Sequence, residues 1–143
     1  MKTVASDEPG KLIVKKENII QLPLGLLGFE RVKTYVLLAN ATEQPFMWLQ
    51  MLDNPNQALL VVQPTLIVPA YAPDISNEDA EFLGLNRPDD ALVINIVTMR
   101  GAGQATVHLK GPIVLNRHTL VGKQIIPLNA AEFNLRHPLP AAA

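Results

Sequence analysis

A mainly β, single-domain fold is what this sequence predicts: an antiparallel sandwich or a small closed barrel, with one or two short helices. Three observations carry that expectation. Twelve prolines are spread from Pro9 to Pro140, and proline stops or kinks a helix interior while fitting turns and strand ends. Hydrophobic residues make up 48% of the chain but aromatics only 5%, so the core is built from Leu, Ile, Val and Ala, and its β-branched members favour strands. About eight short apolar runs recur with turn residues every ten positions or so, the spacing of a small sheet that closes to hide its edges. Periodicity alone does not choose between sandwich and barrel. The 143 residues suffice for one domain that buries roughly two thirds of the surface its unfolded chain exposes.

Residues 1–10 are polar and end in Pro9-Gly10, which predicts a flexible lead, with the folded domain over 11–139 and a disordered tail at 140–143. Short strands are predicted at 12–14 and 19–22 around the charged corner 15–18, with Gly25 and Gly28 permitting bends after them. A strand at 34–38 follows. Runs 46–52 and 58–62 flank Asp53-Asn54-Pro55-Asn56, a tight reversal that makes them a hairpin. One helix is predicted after Ser76, which can accept from the amide of Asp79; Glu78 and Asp79 occupy its first turn and Gly84 stops it. Residues 92–99 read as a central strand buried on both faces for part of its length. A turn at 101–104 leads to strands at 106–109, 113–115 and 120–126. The last two form a hairpin across the polar corner 116–119, with Gly122 read as turn-forming.

The net charge of −1 offers no global attraction to nucleic acid or anionic lipid. Charge is unevenly placed, however. Residues 74–90 hold six acids (Asp74, Glu78, Asp79, Glu81, Asp89 and Asp90) against Arg87 alone, a local −5, whereas 91–143 sum to +4. The acidic stretch is a candidate surface for a basic partner. Without cysteine the chain has neither disulfides nor thiolate chemistry, which fits a reducing cytosol. Its start, MKTVASDEPGK, has no apolar signal-like core, and prolines and glutamines interrupt the uncharged stretch 54–73, so a soluble protein is expected.

Constellations for chemistry are sparse. His108, His118 and His137 lack metal-ligand spacing; His108 is read as a surface or rim residue, His118 as a turn residue, and His137 as docking or ending the tail. Ser6 and Ser76 lie in no nucleophile elbow, and the pairs Gly25/Gly28 and Gly101/Gly103 lack a phosphate-loop setting. Asp89-Asp90 are adjacent on a loop, where side chains diverge. Phe46, Trp48 and Phe82 occupy apolar runs that read as core, so stacking platforms for single-stranded RNA are lacking. By elimination a protein-binding module is favoured, with no catalytic residue, cofactor or metal. Phe46 and Trp48 share one face of their strand, opposite Met47 and Leu49. A lone Trp is more often core, but with both faces apolar a partner can cover one, so both residues join the acids as candidate contacts.

LPLGLLGFE at 22–30, PFMWLQMLDNP at 45–55, ALLVVQP at 58–64, the acidic helix after Tyr71, VINIVTM at 93–99, and GPIVLN running into GKQII and RHPL together resemble the flagellar assembly factor FliW family, in order and over 11–139. Leu22, Leu24 and Leu27 depart from that pattern, where Phe, an acid and Pro are usual, which bears on the loop 22–28 rather than the fold. The resemblance implies a small antiparallel β-barrel without cofactor, cytoplasmic and monomeric when free. It implies two protein partners: the carbon storage regulator, a basic repressor of flagellin translation that it takes off the flagellin message, and flagellin, which occupies it instead. No direct nucleic-acid or membrane binding is implied. For Asn116, Lys123, Gln124, Arg136 and His137, turn and tail-docking roles are expected. The alternative from another class is a barrel that binds a small molecule or oligonucleotide, or an enzyme using Asp89, Asp90 and a histidine.

Overall fold

Strand alternation organises the described part of the chain, which in this computed structural model comprises residues 18–39, 41–54, 56–101 and 103–139. The expected lead 1–10, the apolar run 12–14 and the tail 140–143 lie outside it. In order come β1 (Ile20–Gln21), β2 (Thr34–Ala39), β3 (Phe46–Met51), β4 (Ala58–Val62), α1 (Asn77–Leu83), β5 (Ala91–Met99), β6 (Ala105–Val107), β7 (Ile113–Asn116), β8 (Gly122–Gln124) and β9 (His137–Pro138). Short 3-10 turns occupy Pro64–Leu66, Pro88–Asp90 and Ala130–Glu132.

β1 to β5 pair antiparallel in sequence order. The hairpin around 53–56 forms as expected, with Phe46 opposite Val62 and Gln50 opposite Ala58. β5 then forks: its first half, Ala91 to Ile94, pairs with β7, and its last three residues pair with β6. β7 continues into β8. The curled sheet meets itself where Gln21 bridges Val121 and the Gln21 amide donates to the Leu120 carbonyl at 3.0 Å. Sequential hairpins and this single parallel bridge make the architecture a curled antiparallel sheet, a half-barrel, rather than a sandwich.

Inside the curl, one face of β2 and β3 supplies Tyr35, Leu37, Leu49 and Met51, packed with Ile20, Leu22, Ile94, Ile113 and Leu115. A second cluster of Val62, Tyr71, Val97, Val107 and Leu109 lies on the other arm of the fork, with Phe133 stacked at a tilt 4.7 Å from the Tyr71 ring. Ile94 and Asn95 are adjacent and both fully buried, so β5 is covered on two faces over part of its length. Asn95, an amide inside an apolar run, donates to the His108 carbonyl at 2.8 Å and to the Tyr71 hydroxyl at 3.4 Å. β9 docks the C-terminal segment on β6, Val107 pairing with His137, which resolves His137 as a tail-docking residue.

α1 begins and ends as predicted: Ser76 Oγ accepts from the Asp79 amide at 3.1 Å, and Gly84 at φ 68° closes the last turn. A third cluster, Leu83 with Val114 and Ile125, seats the helix on the sheet. Asn116 fastens its end. The buried Asn116 amide donates to the Leu83 carbonyl at 2.9 Å, while its carbonyl oxygen accepts from the His118 and Thr119 amides.

Three expectations need correction. Gly122 is strand, not turn: the reversal is completed at Leu120, which adopts φ 60°. The predicted strand 120–126 accordingly shortens to three residues. Trp48 and Phe82 are not core, being 37% and 45% exposed, because the inward positions of β3 fall on Leu49 and Met51, and Phe82 lies on the outer side of α1. Phe46 is half-buried against the second cluster.

At Gly122 the backbone of β8 packs close against neighbouring side chains. A Cβ there would lie 2.2 Å from Leu115 Cδ2 and 2.8 Å from Leu22 Cδ2. Gly122→Ala is therefore expected to lower stability by about 1–3 kcal/mol, the usual cost of overpacking a filled core. A urea midpoint equal to that of the unaltered protein would contradict this packing.

Candidate protein-binding surfaces

Of the six acids in 74–90, two are committed internally. Asp79 and Asp90 are buried. Lys123 Nζ lies 2.5 Å from Asp79 Oδ1 and 5.4 Å from the centre of the Phe82 ring, so one lysine anchors the helix to β8 by charge and by cation–π contact. Asp90 Oδ2 accepts from the amides of Asn86 and Arg87, each at 3.0 Å, and Oδ1 lies 3.0 Å from His118 Nε2. The Arg117 amide donates to the Asp90 carbonyl at 2.9 Å. This aspartate clamps the turn before β5 to the β7–β8 turn.

Asp74, Glu78, Glu81 and Asp89 are exposed, and their carboxylates make no hydrogen bond or ion pair with another described residue. The displayed acidity is thus four carboxylates around α1 and its flanks, beside the exposed Arg87. Asp74 is held in place through its backbone, its amide donating to Asn129 Oδ1 and its carbonyl accepting from the Leu128 amide, both at 2.8 Å.

Trp48 stands on the outer face of β3, in cross-strand register with Leu38 and Leu60, which are half-buried. Its indole N–H points to the Glu43 carboxylate at 3.3 Å. Neighbouring Phe46 is tucked further in. Trp48 and Phe46 therefore share a face, as alternation requires, but only the first presents a large aromatic surface.

A third surface was not foreseen. Leu24, Leu27 and Ile126, which are 54%, 81% and 77% exposed, border a groove of about 440 Å³ that Leu26, His108, Lys110, Gly111, Gln124 and Ala130 also line. Its walls are tied: Gln124 accepts from the Leu27 amide at 2.9 Å and donates to the Gly111 carbonyl at 3.1 Å. Lys110 Nζ donates to the Ala130 carbonyl at 2.9 Å. His108 is a half-buried wall residue, consistent with a rim position, and burial pushes its imidazole below the ordinary histidine value. Of the departing leucines, Leu22 is fully buried core whereas Leu24 and Leu27 face outward. Three separate segments build the groove, so no local sequence signal announces it.

No three His, Asp or Glu side chains cluster at metal-binding distances among the described residues. Their helices include none long and apolar enough to cross a membrane.

Comparison with known proteins bears on the family and the fold. The family model described as FliW protein matches residues 3–139. The chain is 35% identical to the flagellar assembly factor FliW of Leptospira interrogans serogroup Icterohaemorrhagiae serovar Lai over 136 residues, 94% of this chain and 91% of that one. It is 37% identical to the protein of that name from Geobacter sulfurreducens over 130 residues, covering 90% and 80%. A crystal structure of the flagellar assembly factor FliW superposes with a TM-score of 0.79 at 26% identity, covering 98% of this chain and 97% of that one.

The clamp at Asp90 has a pH signature. Its carboxyl is held below the ordinary carboxylate range first by the amides of Asn86 and Arg87 and then by His118. A carboxylate with a depressed folded-state pKa adds stability above its unfolded pKa and loses it as pH falls through the folded one. Urea unfolding from neutral pH down to about 3 is therefore expected to show a steeper loss below about pH 4 for the unaltered chain than for Asp90→Asn. Parallel curves would contradict the clamp.

Proposed function

The chain belongs to the FliW family, and we propose that it serves flagellum assembly in the cytoplasm as a protein-binding partner switch. It binds the carbon storage regulator, the basic RNA-binding repressor of flagellin translation, and so relieves repression; alternatively it binds flagellin, which couples flagellin synthesis to secretion. Its relatives' name supports the assembly role. The observation that carries the regulator-binding half is the set of exposed carboxylates, Asp74, Glu78, Glu81 and Asp89, left over once Asp79 and Asp90 are used within the fold. Acids that are not needed for the helix's own anchoring are available to a basic partner.

Electrostatic complementarity of this kind acts mainly on association rate and partner choice. The outer row Leu38–Trp48–Leu60 offers the apolar contact that charges alone do not supply, Trp being a frequent hot-spot residue. A switch further requires that the two partners disfavour one another's binding by equal factors.

Glu78→Lys with Glu81→Lys, leaving the Asp79 anchor intact, is expected to slow association with the regulator about tenfold or more at low salt, with the difference shrinking as salt is raised. Stopped-flow association at two ionic strengths reads this. An unchanged rate with unchanged salt dependence would remove α1 from the interface.

A further inference from the structure

We propose that the groove between the loop 24–27 and the segment 124–130 is a second docking site, and that its occupant is an amphipathic helical segment of a partner polypeptide carrying a carboxylate beside its apolar stripe. This goes beyond the reading above, which rests on the acidic surface and on Trp48.

The walls are apolar on both sides, Leu24, Leu26 and Leu27 on one and Ile125 and Ile126 on the other. Leu27 and Ile126 stand 81% and 77% exposed, and Leu128, two residues on, is exposed as well. Large exposed apolar side chains gathered around one groove on a small domain mark an interaction surface. They stand at the rim, where a small ligand sunk in the groove would leave them wet and a helix laid along it would cover them. The walls are also set in advance by the paired bonds of Gln124 to the Leu27 amide and the Gly111 carbonyl, which lowers the ordering cost of binding.

The charge in the groove selects among helices. Lys110 is half-buried, its ammonium held at the wall by the Ala130 carbonyl at 2.9 Å, and it pairs with no carboxylate among the described residues. Glu30 also lines the groove, but its carboxylate accepts from the Gly28 amide at 3.0 Å and is turned into its own loop. The groove therefore presents, among leucines, a cation that no carboxylate among the described residues pairs with, complementary to one acid on an otherwise apolar helix face.

The test uses the full chain and two dye-labelled synthetic helical peptides with leucine at i, i+3, i+4 and i+7, one with glutamate and one with glutamine beside the stripe, read by fluorescence anisotropy. The glutamate peptide is expected to bind saturably and more tightly than its glutamine twin. Leu27→Ser, an exposed change that leaves the fold intact, should weaken both about tenfold, a loss typical of a central apolar contact. Lys110→Met should abolish the preference for glutamate while keeping the glutamine peptide bound. A preference that survives Lys110→Met, or indifference to Leu27→Ser, would overturn the proposal. So would saturable binding of decanoate with no peptide binding, or a self-association in sedimentation that Leu27→Ser dissolves. Neither flagellin nor the regulator is used, so failure here leaves the partner-switch reading standing.

Discussion

The structure turns on the close packing of β8 against β7 and Leu22 at Gly122. Any side chain at this position would collide with Leu115 and Leu22, so glycine is what lets the curled sheet close at the Gln21–Val121 bridge. Because closure removes exposed edges from a sheet too small to cover them otherwise, the aliphatic interior depends on it. The next two residues extend the consequence outward. Lys123 reaches Asp79 on α1, and Gln124 ties the leucine loop to Gly111. One three-residue strand thus continues directly from the closing bridge, seats the acidic helix and shapes the apolar groove.

Much of the fold was legible because its signals are local. Twelve prolines, the Asp53-to-Asn56 reversal, and the Ser76 cap with the Gly84 stop each act within a few residues, and the hairpin and the helix formed close to where they were expected. What escaped depends on contacts between distant segments. Gly122 carries a turn-like residue type, yet its glycine answers to crowding by Leu22, a hundred positions away. Asp79 and Asp90 read as surface acids because their partners Lys123 and His118 lie on another hairpin. Trp48 read as core by residue type, whereas the inward positions of its strand fell to Leu49 and Met51.

This division also shaped the candidate site. Charge placement found the acidic stretch, but only the folded arrangement separates the two acids committed within the fold from the four that remain displayed. The sheet likewise separates Phe46, tucked under the second cluster, from Trp48, which faces outward. The groove was invisible beforehand because its leucines, its lysine and its isoleucines come from three separate segments. A net charge of −1 conceals a molecule with an exposed acidic stretch around α1 and a separate apolar groove.

Hydrogen–deuterium exchange of the full chain with and without the carbon storage regulator tests the central claim most directly. Protection that appears over α1 and the 86–90 turn on adding the regulator is the predicted result. Unchanged exchange there, with protection confined to other strands, would contradict an interface built on the acidic helix.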